Sequence, residues 1–197
     1  MARIWPMVDS RHDCKPKRRA PRPLDAARLE ELALSYVARF STTSAKLERY
    51  LARKVRERGW AGERAPALGD LVEKFCQNGY VDDAAWAKSR SGGLLRRGYG
   101  PRRVRQALGE AGVAQSIREQ FHPDEAEQRR AVLAMARKRR FGPFGSDPLA
   151  RDKREKQLAA FMRAGHSLDN ARQMVDAASV EAAESWAAEL EEDKDWA

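Results

Sequence analysis

Apolar residues return every three to four positions from residue 24 to about residue 178, and almost nowhere do apolar and polar residues alternate strictly. A period near 3.6 places apolar side chains on one face of a helix, whereas a half-buried strand repeats every two residues. The spacing predicts helices near 25–40, 44–58, 67–78, 82–97, 101–111, 114–121, 123–140, 150–164 and 167–178, with a further acidic helix after 180. The punctuation agrees with this reading. Asp25, Ser44, Asp82, Ser116 and Ser167 suit N-caps, Pro101 and Pro123 suit a first turn, and Gly59, Gly98, Gly112 and Gly165 suit helix exits.

Three of the predicted helices share an ending. KLERYLARKVRERGW closes at Gly59, PRRVRQALGEAGV at Gly112 and KREKQLAAFMRAGHS at Gly165, with successive glycines 53 residues apart. Val55, Leu108 and Phe161 stand four residues before these glycines, and Leu51, Val104 and Leu158 stand seven or eight before. Each segment is the middle helix of a three-helix unit of about fifty residues. A unit of that size buries too little surface alone, so its neighbours must stack on it. The expected fold is all-α, an elongated array of three tandem three-helix repeats. The chain divides into a basic tail over 1–23, repeats over 24–79, 80–121 and 122–180, and an acidic extension over 181–197.

Charge sharpens the picture. The 197 residues carry 38 Lys and Arg against 29 Asp and Glu, with a pI near 9.9. Residues 1–23 hold a net +5 and residues 181–197 a net −6, which leaves +10 for the body. The middle helices concentrate it. Lys46, Arg49, Arg53 and Arg56 lie opposite Leu47, Leu51 and Val55; Arg102, Arg105 and Gln106 oppose Val104, Ala107, Leu108 and Ala111; Lys153, Lys156 and Arg163 oppose Leu158, Phe161 and Met162. Stacked units would repeat a basic stripe along the molecule, a face suited to a polyanion. The proline-rich basic tail is expected to gain order only against something anionic.

Several chemistries find no support. Cys14 and Cys76 form no CxxC motif, and His12 with Cys14 is an incidental pair, so neither a disulfide framework nor a structural metal site is expected. No phosphate-binding GxxxxGK[ST] or GxGxxG loop occurs. The acid pair Asp82 and Asp83 lacks a third ligand at a useful spacing, and Asp82 sits where an N-cap belongs. His122 and His166 fall in turns, where backbone hydrogen bonding explains them, and Trp60, Tyr80 and Tyr99 follow helix-exit glycines, where packing does. The expected protein is not an enzyme and takes no cofactor. No run approaches the about 18 apolar residues of a membrane span, and the N-terminus lacks a secretory apolar run, so a cytoplasmic protein is expected. A monomer is the expected state.

The segment LLRRGYGPRRVRQALGEAGV, residues 94–113, gathers Arg96, Arg97, Arg102, Arg103 and Arg105 around Gly98 and Gly100. Together with LVEKFCQNGYVDDAAWA, residues 71–87, it closely resembles the RecX family of bacterial regulatory proteins. The likeness runs from about Asp25 to Ala178 and includes the pair Asp82 and Asp83 and the step Trp86 to Ala87. It implies three tandem three-helix units and a modulator of the RecA recombinase. Such a protein binds the groove of the RecA filament on single-stranded DNA and inhibits ATP turnover, strand exchange and co-protease activity. The basic residues then expected to meet filament and DNA are Arg49, Arg53, Arg96, Arg97, Arg102, Arg103, Arg105, Lys153 and Lys156, with weak, non-specific binding of single-stranded DNA. One departure is Ser91-Gly92-Gly93, where the family carries bulky or charged residues; each helical glycine costs about 1 kcal/mol relative to alanine, so a frayed or kinked helix is expected there. The alternative is a sequence-specific DNA-binding regulator of helix-turn-helix type, against which stands the scarcity of Asn and Gln for base edges.

Overall fold

The computed structural model describes residues 22–145 and 150–192, so the basic tail up to residue 21, with His12 and Cys14, lies outside the described residues. Among those described, the chain is helical, and its one extended contact is an isolated bridge between Leu24 and Trp60. Ten α-helices follow one another: α1 Ala26–Val37, α2 Ser44–Arg58, α3 Leu68–Gln77, α4 Asp83–Arg96, α5 Pro101–Glu110, α6 Gln115–Gln120, α7 Glu125–Arg139, α8 Arg151–Ala164, α9 Leu168–Val175 and α10 Val180–Glu192.

Three separate apolar cores show the repeat. Leu24, Leu29, Leu47, Leu51, Val72 and Phe75 close the first around α1 to α3. Ala87, Leu94, Val104, Leu108 and Val113 close the second around α4 to α6, with Ile117 and Phe121 packed against it. Val132, Met135, Leu158, Phe161, Met174 and Val175 close the third around α7 to α9. Tyr99 packs against both the second and the third core, which it links. The acidic helix α10 docks on α7: it buries Ala183 and Ala187, and Trp186 packs on the third core beneath the Arg129 guanidinium. Arg129 also bonds Glu125 and Glu189, and Arg137 bonds Glu184 across the same contact.

Helix starts and ends follow the sequence with local corrections. Asp25, Asp82 and Ser167 accept backbone N–H groups as N-caps, and Asp124 closes a full capping box with Glu127. The cap of α2 is Thr43 rather than Ser44, because the Ser44 hydroxyl and N–H are both taken by Asp83. Helix α6 starts from Ala114 with no side-chain cap, so Ser116 does not serve, and Pro123 precedes the cap of α7 instead of entering its first turn. Helix α4 runs unbroken through Gly92 and Gly93. Its core face, Ala87, Ser91 and Leu94, stays buried across that stretch, and this packing outweighs the glycine propensity cost.

Candidate polyanion interface

The arginine-rich turn after α4 is the joint between the second and third repeats, and backbone contacts build it. The Gly100 N–H donates to the Ala164 carbonyl at 2.9 Å, and the Arg102 N–H to the Gly165 carbonyl at 3.1 Å. A Cβ on Gly98 would stand 2.8 Å from the Met135 backbone on α7. The glycines of the motif therefore do more than let the chain turn: they let two backbones meet. His166, 1% exposed, places Nε2 3.0 Å from the Gly98 carbonyl. A carbonyl only accepts, so Nε2 carries the proton. Burial lowers the imidazole pKa below its ordinary value, and the hydrogen bond to Gly98 offsets part of that effect.

The joint between the first and second repeats follows the same plan. The C-terminal end of one middle helix meets the N-terminal turn of the middle helix before it: Thr43 Oγ1 donates to the Ala111 carbonyl at 2.6 Å, and Gly112 lies against Ala45. Asp83 closes this joint from α4, accepting from the Ser44 N–H at 2.8 Å and the Ser44 hydroxyl at 2.7 Å. The acid pair thus has two structural tasks: Asp82 caps its own helix, and Asp83 places a carboxylate at the start of α2.

With the glycines facing inward, the arginines of the turn are exposed, and the structure divides them. Arg96 and Arg97 line an open groove between the first and second repeats, shared with Lys46, Trp86 and Arg90. Lys46 Nζ lies 4.2 Å from the centre of the Trp86 ring. Partial burial, then the charges of Arg90 and Arg49, hold its ammonium below the ordinary lysine pKa. Arg105 lines a different pocket of about 340 Å³ with Arg118, over a floor that includes Val104, Leu108 and Phe121. Arg102 is exposed, and Arg103 donates to the Gln106 side-chain carbonyl at 2.9 Å. Among the described residues, Arg96, Arg97, Arg102 and Arg105 have no carboxylate within ion-pair distance.

The other expected binding residues differ. Arg49 donates to the carbonyls of Ala45 and Glu110, so its head spans the first joint at the C-terminal end of α5. Arg53 pairs with Glu57 at 3.6 Å on its own helix. Lys153 and Lys156 are exposed on α8. Arg90 and Arg118 join the basic surface without standing among the residues expected from sequence. Spacing does carry a signal for Arg90: Trp86, Arg90, Gly93 and Arg97 follow at intervals of four, three and four, one face of a single helix.

Comparisons with known proteins find likenesses of sequence and of fold. A family model described as RecX, second three-helix domain, matches residues 82–120. The regulatory protein RecX of Myxococcus xanthus is 34% identical over 179 residues, covering 85% of this chain and 94% of that protein. The regulatory protein RecX of Halorhodospira halophila is 27% identical over 150 residues, covering 76% and 88% respectively. The crystal structure of RecX from Lactobacillus salivarius shares the fold with a TM-score of 0.60 at 19% identity, over 76% of this chain and 96% of that one.

Proposed function

The chain belongs to the RecX family of regulatory proteins, and on that premise we propose that it binds the RecA filament on single-stranded DNA and restrains ATP turnover, strand exchange and co-protease activity. The observation that supports this most is the set of exposed arginines in the central repeat, Arg96, Arg97, Arg102 and Arg105, with no carboxylate in ion-pair range among the described residues. A cation that meets a carboxylate or phosphate only on binding gives charge-assisted contacts to the complex. Arg103 adds to the surface, and Lys153 and Lys156 extend it to the third repeat. Arg49 and Arg53 belong to it from the first repeat but contribute least, because their guanidinium groups are already engaged.

A sequence-reading helix-turn-helix is less well supported. Gln106, the one amide side chain of α5, accepts from Arg103 and donates to Glu110, so it is occupied within its own helix. The test is to add the purified chain to preassembled recombinase filaments and follow ATP turnover. Slowing with added chain is expected, and unchanged turnover would overturn the reading.

A further inference from the structure

The groove between the first and second repeats has a volume of about 520 Å³ and an unusual lining. Lys46 enters from α2, while Trp86, Arg90, Gly93 and Arg96 come from α4 and Arg97 from its C-cap. No lining residue is acidic, although the chain holds 29 Asp and Glu. None of the four cations has a carboxylate within ion-pair distance among the described residues. Packing of the two repeats therefore brings like charges together and leaves their repulsion uncompensated.

The rest of the lining says what kind of anion would fit. Its one aromatic ring, Trp86, is covered by the Lys46 ammonium, and the remaining exposed surface is dominated by polar atoms, including the Ser89 hydroxyl. An acidic protein segment gains most where an apolar floor takes its side chains, as beside Arg105 and Arg118; this groove has no such floor. A chain of phosphates needs cations and hydroxyls along a track. From Trp86 to Arg97 the track is about 16 Å long at the helical rise. At Gly93 a Cβ would meet nothing within 4 Å, so the missing side chain keeps the floor of the groove open.

We infer that this groove is a phosphodiester-binding site, in which Lys46 and Arg90 grip a nucleic-acid backbone from the two facing repeats and Arg96 and Arg97 continue the contact along α4. It rests on the proposed regulatory function only in sharing Arg96 and Arg97, to which it gives a nucleic-acid partner.

The experiment titrates the full chain, without recombinase, against labelled oligothymidine and against its duplex with oligoadenine over a salt series. Each phosphate that is no longer neutralised lowers the logarithmic salt slope by about 0.7 on single strands and about 0.9 on duplex. The double variant Lys46→Gln, Arg90→Gln should lower the single-strand slope by about 1.4. The variant Arg58→Gln, Arg64→Gln removes equal charge from exposed positions away from the groove and should keep the wild-type slope. The stronger of the two wild-type affinities tells which form of nucleic acid the groove prefers. Circular dichroism checks that both variants remain helical. An unchanged slope in the groove variant, an equal reduction in the control, or displacement of the oligonucleotide by polyglutamate at matched charge would each overturn the assignment. Failure of this titration removes the groove alone, whereas unchanged filament ATP turnover removes the regulatory reading alone.

Discussion

Gly100 and Gly165 meet so closely that a Cβ on Gly100 would stand 2.4 Å from the Gly165 carbonyl carbon. The two residues are 65 positions apart in sequence, yet this contact holds the second repeat to the third. Gly165 is constrained twice, since its φ is 96° and a Cβ on it would lie 2.5 Å from the Arg103 nitrogen. Gly165→Ala should therefore cost about 2 kcal/mol or more in urea unfolding. Gly93→Ala, in an open stretch of α4 with nothing within 4 Å of the new Cβ, should gain about 0.5–1 kcal/mol. Equal effects from the two substitutions would contradict the joint.

Asp83 and Asp82 are adjacent but do different work. Asp83→Ala removes both acceptors of Ser44 across the first joint and should cost about 2 kcal/mol, while Asp82→Ala removes a local cap and should cost about 1 kcal/mol. A double-mutant cycle between Ser44→Ala and Asp83→Ala should give a coupling of about 1 kcal/mol, and the cycle between Ser44→Ala and Asp82→Ala should give none.

His166 predicts a pH dependence. Its folded pKa is depressed, chiefly by burial, while the unfolded chain takes up a proton near the ordinary value of about 6.5. As pH falls through that value the unfolded state binds a proton that the folded state refuses, so stability declines on the acid side and is fully present above it. Urea midpoints should drop between about pH 7.5 and pH 5. In His166→Gln, whose amide can still donate to the Gly98 carbonyl, that part of the slope should disappear.

Much of this architecture is legible in the sequence because helices and repeats are written in local spacing. The glycines at 59, 112 and 165 mark the ends of the middle helices, and Leu51, Val104 and Leu158 mark their buried faces. What local spacing does not carry is the use of a side chain across a joint. Ser44 looks like a cap until Asp83, 39 residues on, takes its hydroxyl. Arg49 looks like a solvated cation until its head reaches the Glu110 carbonyl. The glycine pair in α4 reads as a break because propensity is local, while the packing that keeps it helical comes from the core face of the whole helix. The grouping of the exposed arginines is hidden for the same reason: Arg97 and Arg105 are eight residues apart but line different pockets, one facing Lys46 and the other facing Arg118.

The exposed arginines at the start of α5 are proposed to engage the filament, and their charge reversal puts that to the test. Arg102, Arg103 and Arg105 are reversed together to Glu, and ATP turnover by preassembled recombinase filaments is followed with wild-type chain, with this variant, and with Arg18 and Arg19 reversed in the tail, outside the described residues. The wild-type chain should slow turnover, the triple variant should fail to do so while keeping its helical signal, and the tail variant should retain most of the effect. Slowing by the triple variant equal to that of the wild type, or equal loss of slowing in the triple and tail variants, would contradict a specific role for this surface.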